Sequence, residues 1–375
     1  MTRLLLQAGP FAVQAAWLSD GELTAYDALP AGSLPWLGRR YLGRVAQVEA
    51  ALRAAFVELG EALQGLLPLA GAGLKEGMTV AVEVVREPEA GKGPLLAPLP
   101  DRVIAGRAAP ARLAAPEPVE ALLRAFARSD LTEILVGGDT APWRALCRRH
   151  LPDLAPLIRP SEAPFADSAI EEAIFALLAP EVALPSGGRL VLEHARAMTV
   201  CDVDLAAAAR QGRSAVAATN DEAALALARA MRARDIGGLL VVDFLKERGR
   251  GAGERLRGIL RGATADDPGQ PRIGSLSAFG LLELTRRRQR PPLAWRLGEP
   301  CPHCPGGRRL AGWWLAERAA ARLRGEARHW PGRALTLSAP PDVVALLATA
   351  ADRLPACELR AEPGLARDAL SIGPR

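Results

Sequence analysis

Cysteine is scarce in this chain: there are five in 375 residues, at positions 147, 201, 301, 304 and 357. An odd, scattered set excludes a disulfide-built secreted scaffold, whose thiols come in even numbers. Lysine is scarcer still, at positions 75, 92 and 246 only. Arginine carries the rest of the positive charge, and with abundant alanine and proline this is the composition of a GC-rich coding sequence, not a functional signal. Also missing is an apolar run of the roughly 20 residues that span a bilayer. The opening MTRLLLQAGPFAVQAAWL places an arginine before apolar residues as a secretory leader does, but Gln7, Gly9, Pro10 and Gln14 interrupt it. A cytoplasmic protein without a membrane span is expected. Net charge is +5 and the pI about 9.2, which permits a polyanionic partner without requiring one. With 49% hydrophobic residues, the chain is long enough for two or three domains with their own cores.

What is present centres on Pro185 to Phe244. After the PSGG turn, RLVLE and MTVCDVD read as strands joined by a short turn, and alternation puts Asp202 and Asp204 on one strand face. SAVAATNDEAALALARAMRA has helical spacing, and GLLVV reads as a strand buried on both faces. Strand, helix, strand is a crossover that makes its strands parallel and brings both carboxyl ends to one sheet edge, so Asp202 and Asp243 should meet. Paired carboxylates repel, and a hard divalent cation, best magnesium, relieves this while leaving positions for water and phosphate oxygens. The plain alternative is a pair of solvated or helix-capping aspartates.

The opening reads as a hairpin, RLLLQ and FAVQAAWL, with LTAYDAL as a third strand. From Tyr41 about five short strands suit a small OB-type barrel. PLPDRVIAGRAAPARLAAPEP reads as a connection with no element in it. PVEALLRAFARSD and APWRALCRRHL read as helices around the strand LTEILVGG; Cys147 belongs to the core and His150 to the surface. The arginines at 286, 287, 288 and 290 offer phosphate contacts, or else an ordinary solvated face. CPHC at Cys301 to Cys304 has three readings by spacing alone: half of a tetrahedral zinc site, a redox dithiol, or an unpaired structural pair. No second CxxC exists, so zinc here needs its remaining ligands from another chain. Beyond it, two helices and three strands form a small α/β tail, in which His329, Trp313 and Trp314 read as packing residues.

In order, PSGG, the strand ending CDVD, Asn220, RDIGGLLVVDF, SAFGLLELTRRRQR and CPHC resemble the ribonuclease E/G family. The resemblance implies a mixed α/β fold: an RNase H-like domain in residues 1–36 and 99–165, the latter beginning as a linker, with an OB-fold RNA-binding barrel inserted at 37–98. It then implies a DNase I-like catalytic domain at 166–300, a zinc link at 301–309 and a small α/β domain at 310–375. It implies magnesium on Asp202 and Asp243, Asp204 at the position of an orienting asparagine, and a structural zinc on Cys301 and Cys304 shared by two chains of a homodimer. Single-stranded RNA would be bound by Phe56, Lys92 and Arg286, Arg287, Arg288 and Arg290, and cut by metal-activated water in rRNA maturation or mRNA decay. YLGRV, AAFVELG and GLLP match the family's barrel, where Phe56 is alternatively a core residue and Leu66 replaces a second phenylalanine. Lys246 stands for a second aspartate, and Ala278 for an arginine before Phe279 and Gly280. The short stretch after the barrel leaves no room for a 5′-end-sensing subdomain. The changes at Asp204, Lys246 and Ala278 motivate the alternative of an RNA-binding homologue with weakened cleavage, and CPHC alone motivates a thiol oxidoreductase.

Overall fold

The computed structural model describes residues 2–69, 73–89, 91–100, 108–126, 130–195, 197–211, 215–247, 251–302 and 307–375. The chain divides into two compact units, one of Met1–Gly21, Asp27–Asp167 and Glu299–Arg375, the other of Glu22–Tyr26 and Ser168–Gly298. Among the described residues no helix is long and apolar enough to cross a membrane.

The chain opens on the expected meander, β1 (Thr2–Ala8), β2 (Ala12–Ser19) and β3 (Glu22–Pro30). Then come β4 (Arg40–Glu49), β5 (Ala54–Glu58), β6 (Gly65–Pro68), β7 (Thr79–Arg86) and β8 (Leu95–Pro98). They pair in the order β5-β6-β8-β7-β4, and β4 also pairs with β5, so the five strands close into an OB-like barrel. Tyr41, Val57, Leu59, Leu67, Val82, Val84 and Leu96 fill it. The stretch after it is not a bare connection: β9 (Ala111–Ala114) pairs antiparallel with β4. Proline and alanine masked this strand, because a four-residue edge takes its hydrogen bonds from a neighbour and needs no apolar pattern of its own.

Next come α1 (Pro118–Phe126), β10 (Glu133–Gly137), α2 (Ala141–His150) and β11 (Ile158–Ser161), giving a five-stranded sheet ordered β11-β10-β1-β2-β3. β10 lies parallel to β1, Leu4 opposite Ile134. Cys147 is fully buried, and His150 is half-buried with Nδ1 3.4 Å from Glu120.

The second unit contributes α3 (Ser168–Leu178), β12 (Glu181–Ala183), β13 (Arg189–His194), β14 (Thr199–Asp204), α4 (Ala215–Ala233), β15 (Gly238–Asp243), α5 (Ala252–Ala263), β16 (Arg272–Leu276), β17 (Leu281–Arg286) and α6 (Leu293–Arg296). Its sheet is ordered β12-β13-β14-β15-β17-β16. The β14-α4-β15 crossover makes those two strands parallel, as the pattern required. β15 is not buried on both faces. Leu240 and Val242 enter the core with Leu227 and Met231 of α4 and Leu256 and Leu260 of α5, whereas Leu239 and Val241 are only half-buried and Asp243 is exposed. Helices cover one face of the sheet here, and an apolar run such as GLLVV does not by itself distinguish one covered face from two.

Finally, β18 (Gly298–Pro300) and β19 (Arg308–Leu310) form a two-stranded ribbon. α7 (Gly312–His329), β20 (Leu335–Ala339), α8 (Pro341–Ala348), β21 (Cys357–Ala361) and β22 (Ser371–Pro374) follow, with sheet order β21-β20-β22. Trp314 is buried and His329 packs edge-on against Trp330.

Candidate active site

Alternation along β14 buries Thr199, Cys201 and Val203 and leaves Val200 and Asp202 exposed, with Asp204 half-exposed on the same side. On the parallel neighbour, Asp243 is the register partner of Asp202. The two carboxylates therefore stand side by side at the carboxyl ends of adjacent strands, whose backbones run about 4.8 Å apart. Among the described residues neither has a side-chain hydrogen bond or ion pair. Like charges directly opposite on a sheet destabilise it, and here both carboxylates are exposed to solvent. No group of three or more His, Cys, Asp or Glu able to hold a metal occurs among the described residues. Two carboxylates with open surroundings do fit magnesium, which characteristically takes one or two protein oxygens and keeps the rest of its octahedron for water and phosphate.

The third acid behaves differently. Asp204 accepts a hydrogen bond from Ala206 N at 3.0 Å and from Arg189 Nη2 at 2.7 Å. The backbone bond first, and then Arg189, hold its carboxyl below the usual carboxylate range. Arg189 is answered in turn by Asp204, Glu181 and, more weakly, Asp202. Asp204 is thus neutralised by a neighbour on β13, leaving Asp202 and Asp243 as the pair without a side-chain ion pair among the described residues.

Backbone around the pair is fixed by the crossover helix. Gly187 has φ +88° in the turn before β13, and a Cβ on Gly188 would lie 2.6 Å from Thr219 Cγ2 and 3.0 Å from Asp204 O. Only glycine permits this approach of the turn to the end of β14. Ser186 N donates to Glu222, and its hydroxyl lies 3.2 Å from that of Thr219. Behind Asp243, the fully buried Asn220 donates to Leu245 O at 2.9 Å and to Glu247 at 2.7 Å, and accepts from Leu245 N at 3.0 Å. Arg255 closes the cluster on Glu247 and Asp221. Burial raises the Glu247 carboxyl, but the bonds from Arg255 and Asn220 outweigh it and the net direction is down. The role of Asn220 was not read from the sequence; its signal was that it is the chain's only asparagine, set in an Ala- and Leu-rich helix.

The arginine run is mostly engaged internally. It ends a strand, and Arg286, with a side chain only 5% exposed, pairs with Asp267, itself 1% exposed, at 2.9 Å and with Asp235 at 3.4 Å. A phosphate cannot reach it without breaking that pair, so Arg286 is corrected from RNA contact to core ion pair. Arg288 donates to Gly237 O, Arg290 pairs with Asp235, and Arg287 reaches Gln270 from an exposed position. Asp235 is lowered overall: burial raises it, and Arg290, Arg296 and Arg286 together overcome that.

On the barrel, Val57 points inward and Phe56 is half-buried on the opposite side, paired with Leu66 and Gln47. Leu66 pairs in turn with Leu95. Lys92 is exposed in a tight turn with Glu89, and the adjoining Gly93 packs so closely on Gln64 that a Cβ would lie 1.7 Å from its carbonyl oxygen. Phe56 and Lys92 therefore flank β6. Cys301 is half-exposed at the start of the β18–β19 turn, its N–H donating to Gly307 O at 2.9 Å; Cys304 lies outside the described residues.

The sequence model of the ribonuclease E/G family matches residues 104–289, a span that holds Asp202, Asp243 and the crossover between them. The chain belongs to the ribonuclease E/G family. Among relatives, Ribonuclease E of Escherichia coli is 36% identical over 193 residues, covering 49% of this chain and 18% of the relative. Ribonuclease G of the same organism is 33% identical over 139 residues, covering 36% and 28%. The chloroplastic Ribonuclease E/G-like protein of Arabidopsis thaliana is 34% identical over 139 residues, covering 36% and 14%. Matched segments thus cover between 14% and 28% of these relatives' lengths.

Proposed function

We propose that this chain is a magnesium-dependent endoribonuclease of the ribonuclease E/G type, acting on single-stranded RNA in the cytoplasm, in rRNA maturation or mRNA decay. The side-by-side placement of Asp202 and Asp243 at the ends of parallel strands, neither in a side-chain ion pair among the described residues, carries the reading. Those two side chains would hold the ion, and Asn220 and Glu247 keep the loop after Asp243 from moving away. Magnesium, when bound, supplies a Lewis acid for the phosphoryl oxygens and lowers the pKa of water. Lys246, three residues after Asp243 and without an ion pair among the described residues, offers charge to a neighbouring phosphate. Phe56 and Lys92 would hold the strand on the barrel by stacking and charge, and Arg287 adds a further cation. The proposal carries with it an RNase H-like first part, a DNase I-like second part, and a zinc that Cys301 and Cys304 would share with a second copy.

The test is Asp243→Asn. Magnesium-dependent cleavage of a fluorescent single-stranded RNA should fall by at least ~100-fold, while binding without metal changes by less than about twofold, because losing a ligand removes the ion and not the strand contacts. Equal cleavage by the variant and the parent would end the assignment. Asp204 favours a second reading: with Arg189 holding it, the position cannot orient a ligand as an amide would, which suits a homologue that binds RNA and cleaves slowly. Parent protein that binds single-stranded RNA but leaves it intact would support that reading.

A further inference from the structure

Between β16 and β17 the chain turns at Ser277, Ala278, Phe279 and Gly280, and the Phe279 ring is left almost entirely in water, 90% exposed. It is the only aromatic residue among the exposed large apolar side chains of the described residues. The turn that carries it is firmly built. Ser277 N donates to Leu281 O at 2.8 Å, Gly280 N to Ser277 O at 3.0 Å, and the Ser277 hydroxyl accepts from both Phe279 N and Leu281 N. Gly280 supplies the left-handed conformation, φ +87°, that closes it. A ring held out on a turn of this kind loses little freedom when something lands on it.

Its position is set by register. Leu281, two residues on, is the strand partner of Asp243, which is the partner of Asp202. Phe279 therefore projects beyond the same end of three adjacent strands that carries the unmatched carboxylates. The turn residues beside it are serine, alanine and glycine, and of the flanking residues only Leu276, 38% exposed, adds an exposed large apolar side chain, which is less than the larger patch in which a protein partner's anchoring aromatics sit. A lone exposed ring beside a phosphodiester site matches the chemistry of base stacking, in which one π-face is enough. Lys246 stands beside the same pair of strand ends for the adjoining phosphate.

We propose that Phe279 is a stacking platform for one nucleobase next to the phosphodiester held over Asp202 and Asp243, and that it positions the single strand for cleavage. This rests on the reading of those two carboxylates given above. Stacking is indifferent to hydrogen-bonding edges, so the platform fixes where the strand lies without imposing a base.

The experiment has two arms, both on the full chain. In the first, a single-stranded oligoribonucleotide carries 2-aminopurine at successive positions, and its fluorescence is followed on binding in the presence of chelator. Parent and Phe279→Tyr should quench the probe at one or two adjacent positions, and Phe279→Ala and Phe279→Leu should lose that quenching. In the second, cleavage with magnesium should show KM raised about 10-fold in the alanine and leucine variants, kcat within about twofold, and tyrosine near the parent. All variants should melt with the parent, since the side chain packs against almost nothing. If the parent cleaves and Phe279→Ala matches it in KM and quenching, the platform is overturned and the endoribonuclease reading stands. If the parent does not cleave but quenching still depends on the ring, the endoribonuclease reading fails and the platform stands. Retained affinity in Phe279→Leu overturns stacking, because leucine keeps the apolar contact without a π-face.

Discussion

Truncating Arg286 leaves Asp267, 1% exposed, with no counter-charge, and takes one of three guanidinium groups from Asp235. Removing one partner of a buried pair typically costs about 3–5 kcal/mol. Arg286→Ala is expected to lose stability of that order in urea unfolding, with RNA affinity per folded molecule unchanged. Arg287→Ala is expected to do the reverse, melting normally while the slope of log affinity against log salt falls by about 0.7, the signature of one lost phosphate contact on a single strand. If Arg286→Ala were fully stable and poor in RNA binding, the ion pair would not be what holds that side chain. Four arginines that look alike in sequence thus divide by what faces them, and the acids at 235 and 267 that decide this are far from the run in the chain. One of the four also acts on His194: burial first, then Arg234 and Arg288, lower its pKa and favour the neutral imidazole beside Thr199.

The crossover helix α4 does two jobs. Its apolar stripe covers the sheet, and at one point it replaces a hydrophobe with Asn220, which ties down the loop leaving β15. Asn220→Ala leaves Leu245 N and O without their side-chain partners, a loss of about 1–3 kcal/mol. The expected outcome is a lower melting temperature together with cleavage reduced more than the unfolded fraction accounts for. A variant that melts low but cleaves normally at 25 °C would show that the loop finds its place without the amide. The crossover itself was legible, because helical spacing between two apolar runs forces parallel strands and hence the meeting of Asp202 with Asp243. Its loop clamp was not, since a hydrogen bond from a side chain to a distant backbone leaves no period in the sequence. Likewise β9 is an edge with no apolar face of its own and leaves no pattern in the sequence, and Val241 and Val242 of β15 look the same in sequence although only Val242 faces the helices among the described residues. Phe279 was noted only as a letter in a motif, since exposure is a property of the turn and not of the residue.

For the molecule as a whole, the carboxylate pair exists only when the β14-α4-β15 unit is formed, because its members belong to different strands joined through a nineteen-residue helix. An unfolded chain holds the two acids apart and offers a divalent ion no more than any other aspartate does. On the proposed reading magnesium would be a ligand of the native state alone, and mass action would make its concentration part of the protein's stability: about 2.7 kcal/mol at one hundred times the dissociation constant. The melting temperature should climb with added magnesium in the parent and stay flat in Asp243→Asn, with sodium at equal ionic strength as the control; an equal climb in both would place the ion elsewhere. Two like charges kept side by side weaken the fold, and an ion proposed to sit between them would offset that, so the protein should be least stable where magnesium is scarcest.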